Sequence, residues 1–128
     1  MITAALVACG GGGGSGSGDT PTFTLPDLTE DPGAFNGERV IIKGGYYGAF
    51  EISVLTSGFM ESFPPQPVGP LVWVGVSPPT GCLQNADMGA RWAEKVEATG
   101  IFRYDPDGGF GHLGAYEVAL DDATISCA

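Results

Sequence analysis

From residue 34 onward, apolar and polar residues alternate over short stretches, which is the pattern of β-strands with one buried face. The alternation is clearest in the segments 50–54 and 94–104, where polar residues such as Glu51 and Ser53 separate the apolar positions. No segment keeps a helical period, so the folded part is predicted to be almost all β. The residues expected to face the core are Phe50, Ile52, Val54, Val96, Ala98, Phe102 and Tyr104.

Three further regions are predicted to be strands from their β-branched and aromatic content. Glu38 to Gly44 is one, and the pair Gly44-Gly45 predicts a bulge or sharp bend before Tyr46-Tyr47 continue the chain. Leu71 to Val76 is a continuous apolar run, typical of a strand that is covered on both faces. The last strand segments are Tyr116 to Leu120 and Thr124 to Cys127, with a turn at Asp121-Asp122 between them.

Proline, glycine and aspartate mark the breaks between these strands. Gly58 to Pro70 is expected to be a long irregular loop, and Pro78-Pro79 ends the apolar run. Ala86 to Ala93 has weak helical character and is the expected position of one short helix. Asp105 to Gly109 is a strong turn signal.

This order of elements resembles an OB-fold, a small five-stranded Greek-key barrel. Three segments are similar to parts of OB-like domains in bacterial envelope lipoproteins. Glu38 to Gly44 resembles their first strand, Lys95 to Phe102 their fourth strand, and Gly111 to Gly114 the approach to their final strand. The resemblance implies an all-β, OB-fold-like barrel of five to six strands with one short helix. A small β-sandwich is the alternative.

The N-terminal apolar run ends in Leu6-Val7-Ala8-Cys9 and gives way at once to glycine and serine. These four residues resemble the lipobox of bacterial lipoprotein signal peptides, Leu-x-(Ala or Gly)-Cys. The resemblance implies that residues 1–8 are a truncated signal peptide and that Cys9 carries lipid. Because Gly10 replaces the aspartate that retains many such lipoproteins in the inner membrane, it also implies the outer membrane of a Gram-negative bacterium. The alternative is a disordered N-terminus with a stray cysteine.

The chain is expected to divide into an anchor, a tether and one domain. Residues 9–33 are rich in glycine, serine and proline, and such chains behave as flexible coils. Thr22 to Leu25 is expected to be loose within this tether, which leaves residues 34–128 as the folded domain. Cys82 and Cys127 remain as an even pair in an oxidising compartment, where we expect a disulfide; two buried thiols are the alternative.

The charge of the chain restricts its partners. Fifteen acidic and five basic residues give a formal net charge of −10. A chain this negative is repelled by phosphate backbones and by anionic lipid head groups. We therefore expect no nucleic-acid partner, and we expect contact with the membrane only through the lipid on Cys9.

Few residues suit catalysis or metal binding. His112 is the only histidine, and no serine lies in a Gly-x-Ser-x-Gly turn. Asp105 and Asp107 in a glycine turn are a weak calcium signal. We therefore expect no enzyme, no cofactor and no metal. The alternative is a small envelope hydrolase or a calcium-dependent protein that uses the loop from Asp105 to His112.

The aromatic residues indicate a function more clearly. OB-folds bind ligands on one outer face and on the loops beside it, where aromatic rings can stack on a sugar ring or a peptide. We expect a non-catalytic, lipid-anchored envelope module that binds a protein, peptide or glycan. The candidate residues of this face, each of which could instead fill the core, are Tyr46, Tyr47, Trp73, Phe110 and His112.

Overall fold

The structure is a computed structural model that describes residues 20–62, 65–75, 81–85 and 89–128. These residues contain seven strands and one α-helix, α1, which spans Leu25–Thr29. Short 3₁₀ turns lie at Pro32–Phe35 and His112–Gly114. The strands are β1 (Thr22–Thr24), β2 (Arg39–Ala49), β3 (Ile52–Met60), β4 (Gln66–Val74), β5 (Gln84–Asn85), β6 (Arg91–Tyr104) and β7 (Val118–Cys127).

Five of the strands close into a ring. The order is β2, β3, β4, β7 and β6, and β6 pairs back onto β2. Only β4 and β7 run parallel within the ring; the other neighbours are antiparallel. A five-stranded antiparallel barrel with one parallel closure has the layout of an OB-fold. The prediction of an all-β, OB-fold-like barrel is confirmed, although α1 precedes the barrel and is not the short helix predicted at Ala86 to Ala93.

The bend predicted at Gly44-Gly45 is present in β2. The register with β6 shifts between Gly44 and Tyr46, so that β2 pairs with β1 before the bend and with β3 after it. A Cβ atom on Gly44 would lie 2.7 Å from the carbonyl oxygen of Thr56, and one on Gly45 would lie 2.7 Å from the ring of Phe59. Glycine is therefore required here by close approach of neighbouring groups.

The barrel core confirms the alternation in β6 and corrects that in β3. Val96, Ala98 and Phe102 are buried in the core as predicted. Phe50 is 84% exposed at the two-residue turn between β2 and β3, and Ile52 is exposed as well. The inward assignment of Phe50 and Ile52 is therefore wrong. Val54 is fully buried, but in a second apolar cluster and not in the barrel core. The reason is the register of β2 and β3, which pairs Tyr46 with Leu55 and turns Tyr46 and Leu55 to the barrel core.

The segment before residue 30 is packed, which corrects the tether predicted up to residue 33. β1 pairs with β2, and both Leu25 and Leu28 of α1 are fully buried in the barrel core. The backbone N–H of Thr24 donates to Oδ2 of Asp27 at 3.0 Å, which caps the start of the helix and lowers the pKa of that carboxyl from its usual value. Residues 9–19 lie outside the described part of the chain.

Other local predictions need correction. Gly58 to Met60 pair with Gln66 to Val68 as strands and are not irregular loop. Proline is tolerated in this part of β4 because, among the described strands, only β3 pairs with it here. The other edge of the strand has no described partner and so needs no N–H donor. Arg91–Ala93 begins β6 instead of ending a helix. The turn predicted at Asp121-Asp122 is instead a bulge within one continuous β7, where Asp122 and Ala123 lie opposite Gly100.

A disulfide joins Cys82 to Cys127, as predicted. It ties the segment after β4 to the end of β7 across 45 residues of sequence. The turn predicted at Asp105 is also confirmed, since the N–H of Gly108 donates to the carbonyl oxygen of Asp105 at 2.9 Å. Within the described ranges, no helix has the length and apolar character needed to cross a membrane.

Candidate functional site

A second apolar cluster lies on the outside of the barrel, separate from the core. Its buried members are Tyr47, Val54, Ala90 and Trp92. We call this group, with the partly buried residues around it, the outer cluster. Both tryptophans of the chain belong to it. The partly buried members are Ala49, Phe59, Leu71, Trp73 and Tyr116.

Strand pairing brings the outer cluster together. Tyr47 of β2 is paired with Val54 of β3 on one side and with Trp92 of β6 on the other. Val54 is in turn paired with Trp73 of β4. Side chains directly opposite each other on antiparallel strands lie in contact. Residues of these four strands therefore form one continuous apolar surface, and β4 is covered on both faces as its sequence predicts.

The loop between β6 and β7, residues 105–117, covers one side of the outer cluster. The rings of Trp73 and Tyr116 lie 5.4 Å apart, and Phe110 forms a β-bridge with Tyr116. Gly111 has a φ of 73°, and a Cβ atom there would lie 2.6 Å from both Trp73 and Tyr116. Glycine thus lets the loop backbone lie against the two rings.

An open cleft of about 510 Å³ lies at the other side of the outer cluster. It is bordered by the turn between β3 and β4, by the start of β6 and by β5. Phe59 and Trp92 supply its aromatic wall, and the 55% exposed Met60 stands beside them. Glu61 and Glu94 add two exposed carboxylates. We call this depression the cleft; its other described lining residues are Gly58, Ser62, Pro65 and Gln84.

The predicted ligand-face residues fall in three different places. Tyr47 and Trp73 belong to the outer cluster. Tyr46 lies instead in the barrel core, where its hydroxyl lies 3.1 Å from Oγ of Ser53. Phe110 is half-buried in the loop, and His112 is exposed with Nε2 2.9 Å from Oε2 of Glu51. The two predicted tyrosines are neighbours in sequence and therefore point to opposite faces of β2.

Several residues of this surface were missed from the sequence. Tyr116 was assigned only to a strand, Trp92 lay in the predicted helix, and Phe59 and Met60 lay in the predicted loop. The available signal was the aromatic content of these segments, which strand pairing then brings onto one face. Cys9 lies outside the described residues, so lipid attachment stays a prediction.

The loop from Asp105 to His112 is held by a turn of its own and by a contact with the β2–β3 turn. Oδ1 of Asp105 accepts a hydrogen bond from the N–H of Asp107 at 2.9 Å, which is an Asx-turn. His112 pairs with Glu51 of the β2–β3 turn. Among the residues that the structure describes, no three His, Cys, Asp or Glu side chains are placed to hold one metal ion.

No family model matches the sequence, and no significant match was found among curated proteins or solved structures. A function has to be inferred from the residues of this chain alone.

Proposed function

We propose that this chain is a lipid-anchored, non-catalytic binding module of the bacterial cell envelope that recognises a protein, peptide or glycan through the outer face of its barrel. One observation carries the proposal. The outer cluster, which holds both tryptophans, ends in the cleft beside Phe59, Met60 and Trp92. Ligand sites combine apolar and aromatic walls with a few polar groups, and the cleft has this composition.

The position of the cleft also supports binding. It adjoins strands β3 and β4, which correspond to the second and third strands of an OB-type barrel, the face on which OB-folds hold their ligands. Aromatic and methionine side chains are enriched where proteins bind partners. The exposed Met60 is unusual in this respect, because most large apolar side chains of the described chain are buried.

Tryptophan fluorescence provides the test, since both reporters lie in the outer cluster. The full chain is titrated with a muropeptide, a chito-oligosaccharide and short basic, neutral and acidic peptides. We expect a saturable change in emission with at least one probe, and its loss in Met60→Arg. The control Leu113→Arg makes the same charge change at another exposed apolar residue, outside the cleft. Silence with every probe, or equal effects of the two variants, would contradict the proposal.

The envelope location rests on the lipobox resemblance at Leu6 to Cys9 and has its own test. The chain is expressed behind a complete leader and recovered from bacterial membranes for intact mass spectrometry. We expect a mass that begins at Cys9 and includes diacylglycerol and acyl groups. The control Cys9→Ala should remain unmodified and leave the membrane fraction. A chain that retains Met1 and carries no lipid would refute the anchor.

A further inference from the structure

The cleft combines aromatic surface with unpaired negative charge. Phe59 and Trp92 border it, and the carboxylates of Glu61 and Glu94 lie on the same depression. The described lining residues include neither lysine nor arginine. Within the described part of the chain, neither glutamate side chain has a hydrogen bond or an ion pair. Aromatic faces and carboxylates both attract cations, so a cationic group fits this site.

The five basic residues of the chain lie on two strands and outside the described lining of the cleft. All five belong to β2 and β6, and Lys43 and Arg103 form ion pairs with Glu97 and Asp121. Lys95, next to Glu94 in sequence, lines a neighbouring groove together with Lys43. Glu94 lines this groove as well as the cleft, whereas Glu61, beyond the end of β3, lines only the cleft. We therefore expect Glu61 to contribute more to cation binding than Glu94.

We infer, on the basis of the binding function proposed above, that the ligand of the cleft is a basic peptide segment in which a lysine or arginine neighbours an apolar residue. The apolar residue packs on Phe59 and Met60, and the cationic group lies beside the carboxylates of Glu61 and Glu94, where Trp92 borders the cleft. A neutral glycan supplies no charge to match Glu61 and Glu94. A peptide of this kind matches both halves of the cleft and also the net charge of −10.

The test compares three synthetic hexapeptides with the full chain by tryptophan fluorescence and calorimetry. The basic probe alternates arginine and leucine, the neutral probe replaces arginine with citrulline, and the acidic probe replaces it with glutamate. We expect the basic probe to bind most tightly, and its affinity to fall as sodium chloride is raised from ~0.05 to ~0.5 M. Citrulline keeps the shape of the side chain, so that only charge separates the first two probes.

Variants that replace a glutamate with neutral glutamine show which carboxylate binds the basic probe. Exposed charge pairs contribute a factor of about two to five in affinity, so Glu61→Gln should weaken the basic probe by that factor. Glu94→Gln should have a smaller effect, because Lys95 is close by. The control is Glu38→Gln, which changes the net charge equally at an exposed position before β2 and outside the cleft. It should bind the basic probe as the unmodified chain does.

The outcomes separate this inference from the proposed function. Equal affinity for the basic and neutral probes, or an equal loss in Glu61→Gln and Glu38→Gln, overturns the basic ligand. Binding of the muropeptide or the chito-oligosaccharide at the cleft, with no binding of the basic peptide, overturns it while leaving a binding module. Failure of every probe overturns both.

Discussion

Nε2 of His112 lies 2.9 Å from Oε2 of Glu51, and this contact joins the β6–β7 loop to the turn between β2 and β3. The loop and the turn are far apart in sequence, and this contact brings them together. Both side chains are partly exposed, so the contact is a surface ion pair and not part of a buried network. It helps to keep the loop against Trp73 and Tyr116.

A double-mutant cycle measures the coupling free energy between Glu51 and His112. Glu51→Gln, His112→Gln and the double variant are compared by chemical unfolding at a pH at which the imidazole is protonated. We expect a coupling free energy of about 0.2–1 kcal/mol, the range of exposed ion pairs. Near-UV circular dichroism should change in both single variants, because Trp73 packs under the loop. Additive single effects would show that the contact contributes nothing to the loop.

Gly100 should be intolerant of a side chain. A Cβ atom there would lie 2.5 Å from the carbonyl oxygen of Asp121 and 2.8 Å from Cγ of Leu120, at the bulge between β6 and β7. We expect Gly100→Ala to lower the free energy of unfolding by about 1–3 kcal/mol, the cost of overpacking. Gly58→Ala is the control, since its Cβ would meet Val68 at an ordinary 3.8 Å. Equal effects of the two substitutions would contradict this account.

The strand pattern was predictable where one face is apolar and the other polar. Val96, Ala98 and Phe102 were assigned correctly because β6 alternates for most of its length. The same reasoning failed for β3, where Val54, Leu55 and Thr56 are all buried. A strand between a core and a second cluster has no polar face, and its orientation depends on the register with its neighbour.

The packed N-terminal segment gives a further stability prediction. Leu28 of α1 is fully buried in the barrel core, so Leu28→Ala should lower the free energy of unfolding by about 2–5 kcal/mol. The control Glu30→Ala lies two residues further along, at an exposed position, and should have little effect. Urea unfolding followed by tryptophan fluorescence provides both values. A negligible loss in Leu28→Ala would support the flexible tether that the composition predicted.

The wrong prediction of a flexible tether up to residue 33 has a physical cause. Residues 9–33 are rich in glycine, serine and proline, and composition alone predicts a coil there. The sequence signal for a helix here covers only a few residues. Leu25 and Leu28 are three residues apart on one helical face, and Thr24 and Asp27 form a capping box. Only the barrel supplies the surface that these two leucines cover.

The disulfide should contribute much of the stability of this small domain. Cross-linking across 45 residues is expected to contribute about 4 kcal/mol in the chain-entropy estimate. Replacing both Cys82 and Cys127 with serine, or adding a reductant, should therefore lower the urea midpoint strongly. The double variant serves as the control for the reductant, which should not affect it further. An unchanged midpoint after reduction would contradict the estimate.

The candidate face was predictable only in part. Tyr47 and Trp73 were identified because aromatic residues on strands of an OB-like barrel are natural candidates, whereas Tyr46 was placed on the wrong side of β2. Trp92 and Phe59 were missed because the helix and the loop assigned to their segments hid their strand positions. The sequence shows which residues are aromatic; the register of the sheet decides which of them meet.

The most direct test of binding at the cleft is a nuclear magnetic resonance titration of the ¹⁵N-labelled full chain. The basic hexapeptide and the muropeptide serve as probes, and the two indole N–H signals act as internal markers. We predict that one of these probes shifts the Trp92 indole and the amides of Phe59 to Glu61, while Trp73, beneath the β6–β7 loop, moves little. Shifts confined to the exposed residues Phe50 and Leu113, or no shift with either probe, would contradict a binding function of the cleft.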